Sequence, residues 1–264
     1  MTAVHENAPA ASGRRRAGAG TTLLAISHGT SSAEGAATVA ALVDAVAQRL
    51  DGAADVRGGF VDVQQPDVPS CLASLRSEPG IVVVVPLLLS AGYHVHVDLR
   101  EDVGAAVRAG DDVLLAGALG PDERLVEVLV HRLVEAGLRD DDALVLAVAG
   151  SSDARAVADC EVTAGLLSAR LGRDVRLGFL SAAQPRLPDA VAAARTDRPA
   201  ARVVVASYLL APGYFADLAA KAGGDITTPP LLAADADPPT ELVDVVVDRW
   251  EQAVRAAAAP PPTA

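Results

Sequence analysis

Three side chains in the first hundred residues have the chemistry to handle a metal ion: His28 in AISHGTSS, Asp62 in GGFVDVQQP and His94 in SAGYHVHVDL. Two imidazoles and a carboxylate suit zinc, iron, cobalt or nickel. A neutral imidazole can bind a cation or accept a proton, so a pair of them beside a carboxylate can present a metal and receive protons in one turnover. His28, His94 and Asp62 are therefore candidate catalytic and metal-handling residues. His96, two positions past His94, shares its face if the segment is extended and points elsewhere if it is helical. Blander roles stay open at this point: His28 as a local helix cap, Asp62 as a solvated loop carboxylate, His94 and His96 as structural histidines.

Other site signatures are missing. There is no His-Glu-x-x-His, and SHGTSS has neither a Walker lysine nor a G-x-G-x-x-G pattern. Ser27 stands where an Arg-His-Gly phosphotransfer motif needs arginine. His94-x-His96 matches the spacing of the metal motif in amidohydrolase barrels, but the two-half pattern described below is not a barrel pattern. Cys71 and Cys160 form no zinc spacing and no disulfide framework, which fits a reducing cytoplasm.

The apolar runs explain how three residues so far apart in sequence would meet. TLLAIS (22–27), VRGGFV (56–61), IVVVVPLLL (81–89) and VLLAGAL (113–119) read as strands. Unbroken Val/Ile/Leu runs indicate strands buried on both faces, hence a parallel sheet covered by helices. Val39, Leu42, Val43, Val46 and Leu50 form the buried stripe of a helix, with Ser31-x-x-Glu34 as a capping box at its start. A second helix is predicted over 69–78, and Pro121 predicts the start of another. His28 and Asp62 directly follow strands and His94 lies just past the third. A parallel sheet then places all three at its carboxyl edge, where open α/β folds bind ligands. Gly92 lets backbone approach such a ligand closely.

The pattern then restarts. ALVLAVAGSSDARAV (143–157) resembles TLLAISHGTSSAEGA, LGFLSAAQPRLPDAV (177–191) resembles GGFVDVQQPDVPSCL, and RVVVASYLLAPGYFADL (202–218) resembles VVVVPLLLSAGYHVHVDL. Three segments in one order amount to an internal duplication, with Arg139 to Asp142 as the seam. The expected organisation is a tail over 1–20, an N-terminal half over 21–138 that carries the site, a degenerate C-terminal half over 143–256, and a tail over 257–264. Aligning the halves sets Ala149 opposite His28, Ser181 opposite Asp62 and Phe215 opposite His94. The backbone-shaping residues persist in both copies: Gly29 with Gly150, Gly92 with Gly213, Pro66 with Pro185.

Bulk properties narrow the partners. A net charge of −12 argues against nucleic acid and anionic membranes, and no run approaches the ~18 apolar residues of a membrane span. Aromatic residues are 3% of the chain, which predicts Leu/Val walls rather than ring stacking around any flat ligand.

Together the three N-terminal motifs resemble the sirohydrochlorin chelatases, the class II chelatases of siroheme and cobalamin synthesis. The resemblance spans most of 22–100 and extends weakly to about residue 220. It implies a chelatase-like fold of flavodoxin-like topology in two tandem halves, each a parallel sheet flanked by helices. It implies insertion of Fe²⁺ or Co²⁺ into the tetrapyrrole sirohydrochlorin with release of two protons, and the lack of a histidine-rich tract slightly favours Fe²⁺. The metal is then a substrate, with no permanently bound cofactor. The family's two histidines fall on His28 and His94, and its acidic residue, usually glutamate, falls on the shorter Asp62. Thr30, Ser31, Leu89, Gly92, Tyr93 and His96 become candidate substrate contacts, and Arg57, Arg100 and Arg186 candidate partners for substrate carboxylates. Fused halves would replace the pairing of single-repeat relatives, giving a monomeric cytoplasmic enzyme. The rival readings are a metal or tetrapyrrole carrier without turnover and an unrelated hydrolase.

Overall fold

A computed structural model describes residues 20–90 and 93–259, without the side chains of 93–97. The N-terminal stretch ahead of Gly20, Gly92 and the last five residues lie outside the described residues. The first half runs β1 (Gly20–Ser27), α1 (Ala33–Leu50), β2 (Asp55–Phe60), α2 (Val68–Leu75), β3 (Gly80–Pro86), α3 (Tyr93–Arg108), β4 (Val113–Leu115) and α4 (Glu123–Glu135). The second repeats it with β5 (Ala143–Val148), α5 (Ala154–Leu171), β6 (Val175–Phe179), α6 (Leu187–Asp197), β7 (Val203–Tyr208), α7 (Tyr214–Ala220), β8 (Ile226–Thr227) and α8 (Thr240–Ala258). Each half holds a four-stranded parallel sheet, in the orders β2-β1-β3-β4 and β6-β5-β7-β8. This is the two-half parallel α/β architecture expected from the sequence, and the described residues form no barrel.

Several boundaries differ from the sequence reading, each for a local reason. The third strand ends at Pro86, which has no amide to continue a ladder, and Leu87–Leu89 belong to the loop that follows. The fourth strand stops at Leu115 rather than 119. The cap of α1 is Ser32, whose hydroxyl accepts the Gly35 N–H at 3.2 Å, so the Ser31/Glu34 capping box does not form. Asp122 caps α4 and moves its start past Pro121. The last helix continues through Ala258, two residues into the stretch expected to be a tail.

Alternation along the strands divides the apolar side chains into three layers. Leu23, Ala25, Val83 and Val85 face a central core that also takes Leu144, Leu146, Val204 and Ala206 of the second sheet. Leu24, Ile26 and Val84 face outward under α2 and α3, and Ala143, Val145 and Ala147 do the same under α6 and α7. Each buried Leu or Val contributes about 1.5–3 kcal/mol, so the shared middle layer binds the halves into one body. The closing helices are exchanged. Helix α4 packs on α5 and β7 of the second half, while α8 packs on α1, β3 and β4 of the first. No helix of the described residues is long and apolar enough to cross a membrane.

Candidate functional site

In the order 2-1-3-4 the chain leaves β1 and β3 in opposite directions, so a crevice opens beyond their carboxyl ends. The same happens at β5 and β7. The two crevices merge into one cavity of about 730 Å³, within the roughly 300–1,000 Å³ usual for small-molecule sites. The first half supplies the loop after β1, from His28 to Ser31, and the loop after β3, from Leu87 to Ser90. The second supplies the equivalent loops, Ala149 to Ser152 and Leu209 to Phe215.

His28 lines this cavity and is exposed to it. The turn that presents it is fixed by Gly29, at φ +94°, where an added Cβ would sit 2.2 Å from the Asp62 carbonyl oxygen. That closeness serves a bond: the Asp62 N–H donates to the His28 carbonyl at 3.1 Å. The second half repeats the arrangement without the imidazole. Gly150 is at φ +88°, its Cβ would meet the Ser181 carbonyl at 2.0 Å, and the Ser181 N–H donates to Ala149 at 2.8 Å. Residue pairs 28/149 and 62/181 are thus equivalent in space as well as in sequence.

Asp62 sits beside His28 through the backbone, but its carboxylate is exposed, accepts the Val63 N–H at 2.7 Å and does not line the cavity. Thr30, Ser31 and Leu89 do line it. His94, Tyr93 and His96 fall in the first turn of α3, a few residues past the cavity-lining Ser90, and their side chains lie outside the described residues, as does Gly92. Since that turn is helical, His94 and His96 are not on one extended face. Among the described residues no three His, Cys, Asp or Glu side chains gather as a metal cage.

The expected arginines are elsewhere. Arg57 is held by Asp55 and Glu78, whose hydrogen bonds raise its already high pKa. Arg186 donates to the Leu180 carbonyl, and Arg100 is exposed on α3. No Arg or Lys is among the described lining residues, where hydroxyls supply most of the polarity. Sequence reasoning also missed Gln64, which lines the cavity while its Oε1 accepts the Thr30 N–H at 2.9 Å and pins the β1–α1 loop. Its counterpart is Ala183, so comparing the halves position by position would have found it as it found His28. Tyr208, opposite Leu87, was missed too. Its hydroxyl donates across the halves to Leu89 at 3.2 Å, in space that Gly120 leaves open, and burial raises its pKa. Cys160 lines the same wall, and burial pushes its thiol up to about 11, so it stays protonated.

A family model described as CbiX matches residues 22–136 and again 143–222, most of the chain. The chain belongs to the CbiX family. Among its relatives, a sirohydrochlorin ferrochelatase of Priestia megaterium is 29% identical over 198 residues, 72% of this chain and 73% of the relative. A sirohydrochlorin cobaltochelatase of Sulfurisphaera tokodaii is 33% identical over 82 residues, 30% of this chain and 66% of the relative. The resemblance drawn from the three motifs therefore holds. In fold, this CbiX chain is similar to SirB from Bacillus subtilis with Fe³⁺, at TM-score 0.72 and 19% identity over 90% of this chain and 98% of that one. SirB from the subspecies spizizenii in complex with cobalt gives a TM-score of 0.68 at 18% identity, over 90% and 97% of the two chains. The CbiX match restarting at residue 143 agrees with the duplication.

Proposed function

We propose that this protein is a sirohydrochlorin chelatase that inserts a divalent cation, Fe²⁺ slightly favoured over Co²⁺, into the tetrapyrrole and releases its two pyrrole protons. The observation that carries this reading is His28, an imidazole on a tightly fixed turn, facing a cavity of ligand size to which both halves contribute. Both relatives named above carry sirohydrochlorin chelation in their names, one with iron and the other with cobalt.

Metallation asks for two things at one place. A partly hydrated cation must give up its ligands, and the macrocycle must shed two N–H protons as four nitrogens take the metal. His28 and His94 divide that task, one imidazole steadying the cation while the other accepts a proton. Asp62 acts as a positioning residue: its amide bonds to His28 and holds the turn. Hydroxyls and Gln64 meet the substrate's polar rim. The fused halves make one complete site per chain, so a monomer suffices.

The test is an anaerobic visible-spectrum assay with sirohydrochlorin and competing Fe²⁺, Co²⁺ and Ni²⁺. The wild type is expected to accelerate insertion over the spontaneous rate. His28→Ala and His94→Ala should each lose at least about a hundredfold, the scale of a proton-transfer group, with an unchanged circular-dichroism spectrum. A His28→Ala rate equal to wild type would remove His28 from the mechanism, and a spectral shift without turnover in the wild type would make the protein a carrier.

A further inference from the structure

Aromatic side chains are rare in this chain, at 3%, yet they are not scattered. Of its three Phe and three Tyr, four line the cavity among the described residues: Phe60, Tyr208, Tyr214 and Phe215. The expectation that a flat ligand would meet only aliphatic walls is thereby corrected. Two of the four stand out. Tyr214 is 72% exposed, and its ring packs edge-on against Phe215 with centroids 5.6 Å apart and planes at 61°. An edge-to-face pair leaves one ring face free, and a conjugated macrocycle can stack on it.

Their mounting matters as much as their type. Both open α7, directly after Gly213, and Phe215 occupies the position that His94 holds in the first half. The segment before them is pressed against the other half. An added Cβ on Gly35 of α1 would lie 2.2 Å from the Pro212 carbonyl oxygen, and one on Gly213 would lie 3.2 Å from Thr30 Oγ1. The rings are therefore in fixed register with the loop that carries His28. Ala149, the counterpart of His28, lines the same cavity with only a methyl group.

We infer that Tyr214 and Phe215 form a stacking seat for the conjugated face of the tetrapyrrole, so that the half without imidazoles holds the substrate for the half that has them. This rests on the chelatase reading above. These are positioning residues: they set where the macrocycle centre lies relative to His28 and take no part in proton or metal transfer.

The experiment is steady-state chelation by the full chain for Tyr214→Ala, Tyr214→Leu and Tyr214→Phe. Removing the ring should raise KM for sirohydrochlorin about tenfold, the scale of one aromatic contact, while kcat stays within about twofold and KM for the metal is unchanged. Tyr214→Leu should behave like Tyr214→Ala, since it keeps apolar bulk without a π-face, and Tyr214→Phe should restore the wild-type KM. Tyr214 is exposed, so all three should melt with the wild type. A KM unaltered in Tyr214→Ala overturns the inference, as does a Tyr214→Phe variant as impaired as Tyr214→Ala. If the wild type shows no chelation at all, it is the chelatase reading that fails.

Discussion

Gly29 and Gly150 meet the same demand, one beside an imidazole and the other beside a methyl group. Each holds a left-handed φ and lets a carbonyl of the loop after the next strand come within what would be 2.0–2.2 Å of a Cβ. The close approach is therefore a property of the β1–α1 type of turn and not of the chemistry. Gly29→Ala and Gly150→Ala should each destabilise the protein by about 2–4 kcal/mol, combining left-handed strain with a backbone clash. Urea unfolding checks this, and a Gly150→Ala variant as stable as wild type would count against it. Both glycines and His28 were legible in the sequence because glycine persisted where histidine did not. The direction of the Asp62 carboxylate was not legible. Spacing places a residue at a strand's end, but whether its oxygens face the cavity or turn back to the Val63 N–H is decided by the loop's own geometry.

At the scale of elements, the parallel sheet and its carboxyl edge could be read from apolar runs, because runs buried on both faces imply a parallel sheet. The exchange of α4 and α8 could not. The stripe of Leu125, Val128, Leu129 and Leu133 in α4 says that one face is buried, and periodicity cannot name the sheet that buries it. The same holds for Leu242, Val245 and Val246 in α8, which cover the first half from more than a hundred residues away. Leu242→Ala, at a fully buried position, should cost about 2–5 kcal/mol. More tellingly, the fragment 20–138 alone would leave the α1, β3 and β4 surfaces under α8 uncovered, and its own α4 would have no β7 to pack on. It should show no cooperative unfolding transition. A soluble fragment with a sharp melt would oppose the assignment of α8 to the first half's core.

Over the whole molecule, the exchanged helices meet at a charged junction close to the cavity. Arg249 of α8 donates to the Ala118 and Leu119 carbonyls at 2.8 and 2.7 Å and to Asp122 at 3.1 Å. Arg124 donates to Asp122 and to Asp248, at 2.9 and 2.6 Å. Burial by itself would push the Asp122 carboxyl up, but the hydrogen bonds from Arg124 and the charges of Arg124 and Arg249 outweigh it and hold the pKa below the usual range. A carboxyl depressed in the folded state adds stability that is fully present above its unfolded pKa, near 3.9, and is lost as pH falls through the folded value. Asp122→Asn isolates this contribution, since the amide can still cap α4 through the Arg124 N–H but carries no charge. At pH 7 the variant should be about 1.5–3 kcal/mol less stable than wild type, the scale of hydrogen bonds to a charged group. As pH falls below about 3.9 the unfolded carboxyl takes up a proton that the folded one still excludes, so the gap between the two proteins should narrow, and it closes once the folded carboxyl is protonated as well. Urea midpoints measured from pH 7 to pH 3 decide it. A gap that stays constant across that range would mean that the junction holds the halves together by shape alone, with the ion pairs contributing nothing to the union.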